Sequence, residues 1–140
     1  MPDHPERDLG RLLAGLTPAL AEEPYVFAAA PDAAADDRDL VPPPFAQVRE
    51  REGVTWVLPQ AQADDAGLSY DFVAGRITLE VASALDAVGL TAALAGRLAE
   101  AGIACNVIAG RHHDHLFVPH GEAERALALM RDLSSEAPRS

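Results

Sequence analysis

The sequence predicts an α+β fold, and three observations in its second half predict it. Arg76 to Ala82 alternate, with Ile77, Leu79 and Val81 on one side, as a half-buried strand requires. From Leu90 the apolar period lengthens, and Leu90, Leu94, Leu98 and Ala101 recur at helical spacing. Ile103 to Ala109 is apolar and β-branched, which reads as a buried strand, and after a turn at Gly110 His115 to Val118 return as its partner. Gly102 sits where a left-handed C-cap would end the helix. The order β-α-β-β is most of a ferredoxin-like unit.

The remaining elements follow in order. Asp8 is placed to cap a short helix whose apolar face is Leu9, Leu12, Leu13 and Leu16. A second short turn is expected over Pro18 to Glu22, then a strand over Pro24 to Ala29. Pro31 to Pro44 is rich in Asp, Ala and Pro and reads as a mobile loop ending in a stiff, polyproline-like spacer. Phe45 to Pro59 is a hairpin about Glu52-Gly53, with Val54, Trp56 and Leu58 alternating towards a core. Ala61 to Gly67 fits a short helix, and Ser69 to Gly75 lead into the main strand. Glu122 to Leu133 is helical through Ala123, Ala126, Leu127, Met130 and Leu133, and Ser134 to Ser140 are expected to be disordered. The expected division is 1–75, 76–134 and a tail 135–140. A β-α-β-β-α-β unit still needs a last strand. The segment PYVFAA or TWVLP is expected to supply it, which would place both halves in one sheet.

Composition limits the partners. The net charge is -11, from 22 acidic residues against 11 basic ones, all of them Arg. Such a surface repels nucleic acid and anionic membranes, so neither is expected as a partner. The single cysteine, Cys105, cannot close an internal disulfide. With no leader and no apolar run long enough to span a bilayer, a cytoplasmic location is expected.

The turn from Ser83 to Thr91 joins a strand to a helix N-terminus, where unpaired N–H groups favour a carboxylate or phosphate. Gly89 would let a ligand approach the backbone. Asp86 can cap the helix or hold a ligand's ammonium group, and the spacing alone fits either. Asp86-Ala87-Val88-Gly89, then Leu94, Leu98 and Gly102-Ile103, resemble the D-x-x-G pattern of the regulatory ACT domain. The longer runs ALDAVGLTAALAGRLAEAGIACNVIAG and RHHDHLFVP, with PYVF and REREGVTWVLP, resemble small prokaryotic ACT proteins related to the CASTOR amino-acid sensors, over Leu9 to about Leu133. Ala82 departs from that pattern, which leads one to expect His.

The resemblance implies a ferredoxin-like ACT fold (βαββαβ type), with a C-terminal ACT unit beside a degenerate N-terminal ACT-like half. It implies an amino acid bound at an ACT interface, in a homodimer. The implied ligand-binding residues are Ser83, Asp86, Val88, Gly89, Leu90 and Thr91, with Asn106, Val107 and Ile108 on the facing strand.

His112, His113, Asp114 and His115, with His120 nearby, form a second cluster. His113 and His115 share a strand face, an H-x-H spacing that can hold a metal if a third ligand comes from His120, Asp86 or another subunit. The alternative is a polar hairpin bonding its own backbone. Cys105 reads as inert packing. Asn106, a polar amide in an apolar strand, needs a hydrogen-bond partner at Ser83 or on a ligand. No nucleophile, base and orienting group fall together, so the expectation is a non-enzymatic small-ligand sensor without a cofactor. The alternatives are a metal protein built on the His turn and an interaction module.

Overall fold

The computed structural model describes residues 8–80 and 85–137. In chain order the elements are α1 (Leu9–Ala14), β1 (Pro18–Leu20), β2 (Tyr25–Ala29), β3 (Ala46–Glu50), β4 (Gly53–Pro59), α2 (Gln60–Asp65), β5 (Val73–Leu79), α3 (Leu90–Glu100), β6 (Asn106–Ala109), β7 (Asp114–Pro119) and α4 (Ala123–Glu136). Short 3-10 turns lie at Asp37–Asp39 and His120–Glu122. The chain packs as two compact units, Glu22–Ala74 and Met1–Ala21 with Gly75–Ser140.

In the Glu22–Ala74 unit β2 pairs with β4 along its length, β4 with β3, and Tyr25 and Val26 with Ala74 and Val73, all antiparallel. The alternation in TWVLP is realised: Val54, Trp56 and Leu58 are buried with Val26, Ala28 and Ala63. Trp56 meets its polar requirement by donating Nε1–H to Gln47 Oε1 at 2.7 Å. The hairpin turns at Arg51-Glu52, and α2 ends as Gly67 takes φ +68 and the Leu68 N–H bonds Ala63 O. Between β2 and β3 the chain forms only the Asp37–Asp39 turn, and Ala35 is what it contributes to the core. The Asp36 side chain accepts from the Arg38 N–H while Asp39 accepts from the Asp36 N–H, a reciprocal cap. Those bonds, with the Arg38 guanidinium, hold the Asp36 carboxyl well below the usual carboxylate range.

In the second unit the strands lie in the order β1-β5-β7-β6. One face carries Ile77, Leu79, Leu116 and Val118 against Leu90, Leu94 and Leu98 of α3 and Ala126, Leu127 and Met130 of α4. Leu12 of α1 completes this core, and Asp8 caps α1 by accepting from the Arg11 N–H at 2.9 Å. Gly102 takes φ +76, and the Ile103 N–H bonds Leu98 O, so α3 ends as its sequence predicts.

Four expectations need correction. Pro18–Leu20 is not a turn but a strand, antiparallel to β5 with Pro18 opposite Leu79 and Leu20 opposite Ile77. In this unit it takes the place of the last strand, which was expected from PYVFAA or TWVLP. β5 begins at Val73, three residues before its alternation indicates, and runs to Leu79; Val81 and Ala82, expected to continue it, lie outside the described residues. The strand after α3 starts at Asn106 and is no buried strand: Asn106 and Ala109 are exposed and Val107 and Ile108 half-buried. Ile103 is buried because it follows the helix cap, not because it joins the sheet. Finally, α4 continues through Ser134 and Ser135 to Glu136, where a tail was expected. Arg97 of α3 holds Glu136 by two bonds of 2.8 and 3.1 Å, and Ser134 Oγ donates to Ala14 O at 3.4 Å.

Candidate functional site

The site is built at the start of α3. Gly89 is the N-cap residue at φ +104 and has no side chain with which to cap the helix. The first carbonyl bond of the helix runs from the Ala93 N–H to Gly89 O. The N–H groups of Leu90, Thr91 and Ala92 are left with no carbonyl partner inside the helix, and the positive end of its dipole lies here. Glycine at 89 is required twice. Its φ disfavours any other residue, and a Cβ would stand 3.1 Å from Leu9 Cδ2 of α1.

A cleft of about 110 Å³ opens against this turn, lined by Leu85, Ala87, Gly89, Leu90 and Thr91 on one side and by Ala109 and Asp114 on the other. Ala109 and Asp114 are opposite each other at the end of the β6–β7 hairpin, which brings both to the helix start. Asp114 is half-buried, and burial pushes its carboxyl up from the ordinary value. The cleft therefore offers N–H donors from one wall and an acidic side chain from the other.

Of the residues expected here, Gly89, Leu90 and Thr91 line the cleft. Asp86 and Val88 lie exposed on the same turn, Val88 at 84%. Ser83 and Ala82 fall outside the described residues. Asn106, Val107 and Ile108 do not line the cleft; they pair with Phe117, Leu116 and His115 farther along the hairpin. Asn106 is exposed, so water meets its hydrogen-bonding needs. Ala109 was not read as a site residue, and Asp114 was read only as part of the His cluster. The signal was the hairpin register, which places the residue just after the His pair beside the helix start.

The His turn serves another purpose. His115 Nδ1 and Thr78 Oγ1 stand 2.9 Å apart, and Thr78 Oγ1 accepts from Arg76 Nη1 at 3.1 Å. Burial, the Arg76 charge and His113 lower the His115 pKa, so the neutral ring is favoured and Thr78 donates to it. His112 is exposed. His120 lies beyond the far end of β7, ~16 Å from His115 at strand rise, and cannot join a shared site. Among the described residues no three His, Cys, Asp or Glu side chains gather as a metal site. Cys105 packs half-buried against the core, and burial pushes its thiol up, which suppresses thiolate chemistry.

Comparison with known proteins decides the family. The ACT domain family matches residues 4–75 and, through a second ACT model, residues 73–132. The chain belongs to the ACT domain family. This ACT protein is 44% identical to a Vibrio cholerae protein of unknown function described as a possible transport protein. The match covers 90% of this chain and 95% of that one, with a TM-score of 0.78. It shares its fold with an Agrobacterium tumefaciens protein at 16% identity, over 85% of this chain and 89% of that one, TM-score 0.67. The regulatory subunit of aspartate kinase from Thermus flavus is similar at 10% identity, over 84% and 97%, TM-score 0.62. No curated protein matches the sequence. No helix among the described residues is long and apolar enough to cross a membrane.

Proposed function

We propose that this ACT protein is a non-enzymatic regulatory protein that binds an amino acid in the cleft at the start of α3, as the CASTOR-related resemblance implies. The observation that carries the reading is the pairing of the Gly89–Thr91 turn with Asp114 across one small cleft. An amino acid has an anionic and a cationic end. Its carboxylate suits the N–H groups of Leu90 and Thr91, and its ammonium suits Asp114. An ammonium ion beside Asp114 would also offset the burial that raises its pKa. The small volume favours a compact amino acid, or one whose side chain projects out of the cleft between the exposed Leu85 and Val88. A second copy closing over those two residues would form the homodimeric ACT interface that the resemblance implies. The fold it shares with a regulatory subunit of aspartate kinase supports a regulatory role without catalysis.

A thermal-shift screen of the untagged chain against the amino acids tests the reading. A ligand that binds the folded state alone raises the midpoint. One or a few amino acids are expected to do so, with the rise lost in Asp114→Asn. A panel without any response, or a response that survives Asp114→Asn, would remove the cleft from consideration.

A further inference from the structure

A second cleft lies wholly within the Glu22–Ala74 unit, and none of its residues belongs to the site at α3. It has a volume of about 440 Å³, within the range usual for small-molecule sites. Leu40, Val41 and Pro42 of the loop form one wall, and the end of β4 with α2 forms the other, through Pro59, Ala61 and Gln62. Glu23 and Asp65 place two carboxylates on it, and no basic side chain lines it.

The ionisable side chains lining this cleft are all acidic. Gln62 donates an Nε2 hydrogen to Pro42 O, and that bond ties the loop wall to the helix wall. Pro42 and Pro59 have no N–H to offer. Asp65 and Ala66 close α2, whose last carbonyls accept from the N–H groups of Ala66, Gly67 and Leu68. The surroundings do not reverse the sign. Residues 22–74 hold half of the 22 acidic residues but only Arg38, Arg49 and Arg51 of the 11 basic ones. Each of those three is already in an ion pair, with Asp36 or Glu52. The apolar side is as distinct: Val41 is 93% exposed and Leu40 borders the cleft, so aliphatic surface is presented beside the acceptors.

We propose that this cleft binds a small organic cation: an aliphatic amine whose charged group sits between Glu23 and Asp65 and whose carbon chain lies on Leu40, Val41 and Pro42. A carboxylate ligand is disfavoured by the same residues. A bare metal ion would leave the apolar wall unused, and the cleft would then discriminate by charge and not by chain length. The site is separate from the cleft at α3, and it stands or falls without it.

Titration calorimetry on the full chain, at fixed ionic strength, with butylamine, hexylamine and 1,4-diaminobutane tests the assignment. Butyrate and magnesium chloride serve as controls. The amines are expected to bind, with hexylamine tighter than butylamine, and butyrate is not. Glu23→Gln and Asp65→Asn should each weaken binding roughly fivefold. Both residues are exposed, so the variants should fold, and an unchanged thermal midpoint confirms that. Val41→Ser should remove the advantage of hexylamine, and Asp114→Asn should leave amine binding unaltered. Absence of amine binding, equal affinity for magnesium and the amines, or binding unchanged in both carboxylate variants would overturn the proposal.

Discussion

The two compact units use one strand plan with different helices. In Glu22–Ala74 the strands follow β5-β2-β4-β3, with only the first residues of β5 taking part, and in the other unit β1-β5-β7-β6. With β1 counted in the last place of its unit, each has its first strand beside its last and third strands, with the second at an edge. After the first strand, however, one unit forms the eleven-residue α3 and the other a three-residue 3-10 turn. The consequence is chemical. The unit with the full helix presents the start of that helix, Gly89 to Thr91, to a cleft. In the other unit the cleft is lined by Glu23 and Asp65, by Pro42 and Pro59, and by Ala61 and Gln62 of the shorter α2. A shared fold therefore does not dictate a shared set of groups lining its clefts.

The largest effect expected on this comparison comes from Trp56→Ala. Trp56 is 1% exposed at the centre of the Glu22–Ala74 core, and its loss should cost about 3–5 kcal/mol. Leu98→Ala in the other core should cost about 2–5 kcal/mol. Because Trp56 is the only tryptophan, its fluorescence during denaturation of the Leu98→Ala variant reports on the unmutated unit. Coincidence with the far-UV signal would show that the units unfold together, and separate transitions would show two independent folding units.

Gly75→Ala should cost about 1–3 kcal/mol, because a Cβ there would stand 2.6 Å from Ala123 Cβ and must push β5 from α4. Gly89→Ala should cost about 1–2 kcal/mol through its backbone conformation, with further crowding against Leu9. Gly67→Ala, with a positive φ but nothing within 4 Å of its Cβ, separates the conformational cost from the packing cost. If Gly67→Ala and Gly89→Ala proved equal in urea denaturation, the contact with Leu9 would contribute nothing.

Those glycines also show what was legible before the structure. Gly102 and Gly67 announce helix ends because their φ is a local matter, and Val54, Trp56 and Leu58 announce a strand because alternation is local too. The strand Pro18–Leu20 has neither signal. It is three residues long, and its partners Ile77 to Leu79 lie more than fifty residues away, so only the folded sheet defines it. The end of α4 was hidden for a similar reason: Ser134 to Glu136 are held by Ala14 and Arg97, not by apolar periodicity. At the site, Gly89 to Thr91 were readable from the strand-turn-helix pattern, whereas Asp114 depends on the register of a hairpin.

The smallest expected effect concerns pH. His115, on the β7 strand of the second unit, has its pKa lowered from 6.5 by burial and by Arg76. The unfolded chain then takes up this proton at a higher pH than the folded one. Between the lowered value and 6.5 the unfolded state binds more protons, so stability rises with pH there and is fully present above 6.5. Asp114 works in the opposite sense. Its raised pKa means that the folded state holds a proton above 3.8 that the unfolded state has lost, so stability falls as pH rises through that range. The two contributions have opposite signs, Asp114 above 3.8 and His115 below 6.5. His115→Asn removes one of them. Thermal midpoints of this variant and the wild type, taken from pH 5 to 8, should converge in slope above about 6.5 and diverge below it, with the variant losing less on acidification. Parallel curves would mean that His115 titrates alike in both states, and the Thr78 bond would then be without thermodynamic consequence. The same pair of curves with an amino acid that raises the midpoint in the thermal-shift screen would show whether occupancy of the cleft removes the Asp114 contribution. The acidic cleft of Glu22–Ala74, which holds neither residue, gives no reason for an amine to alter either slope.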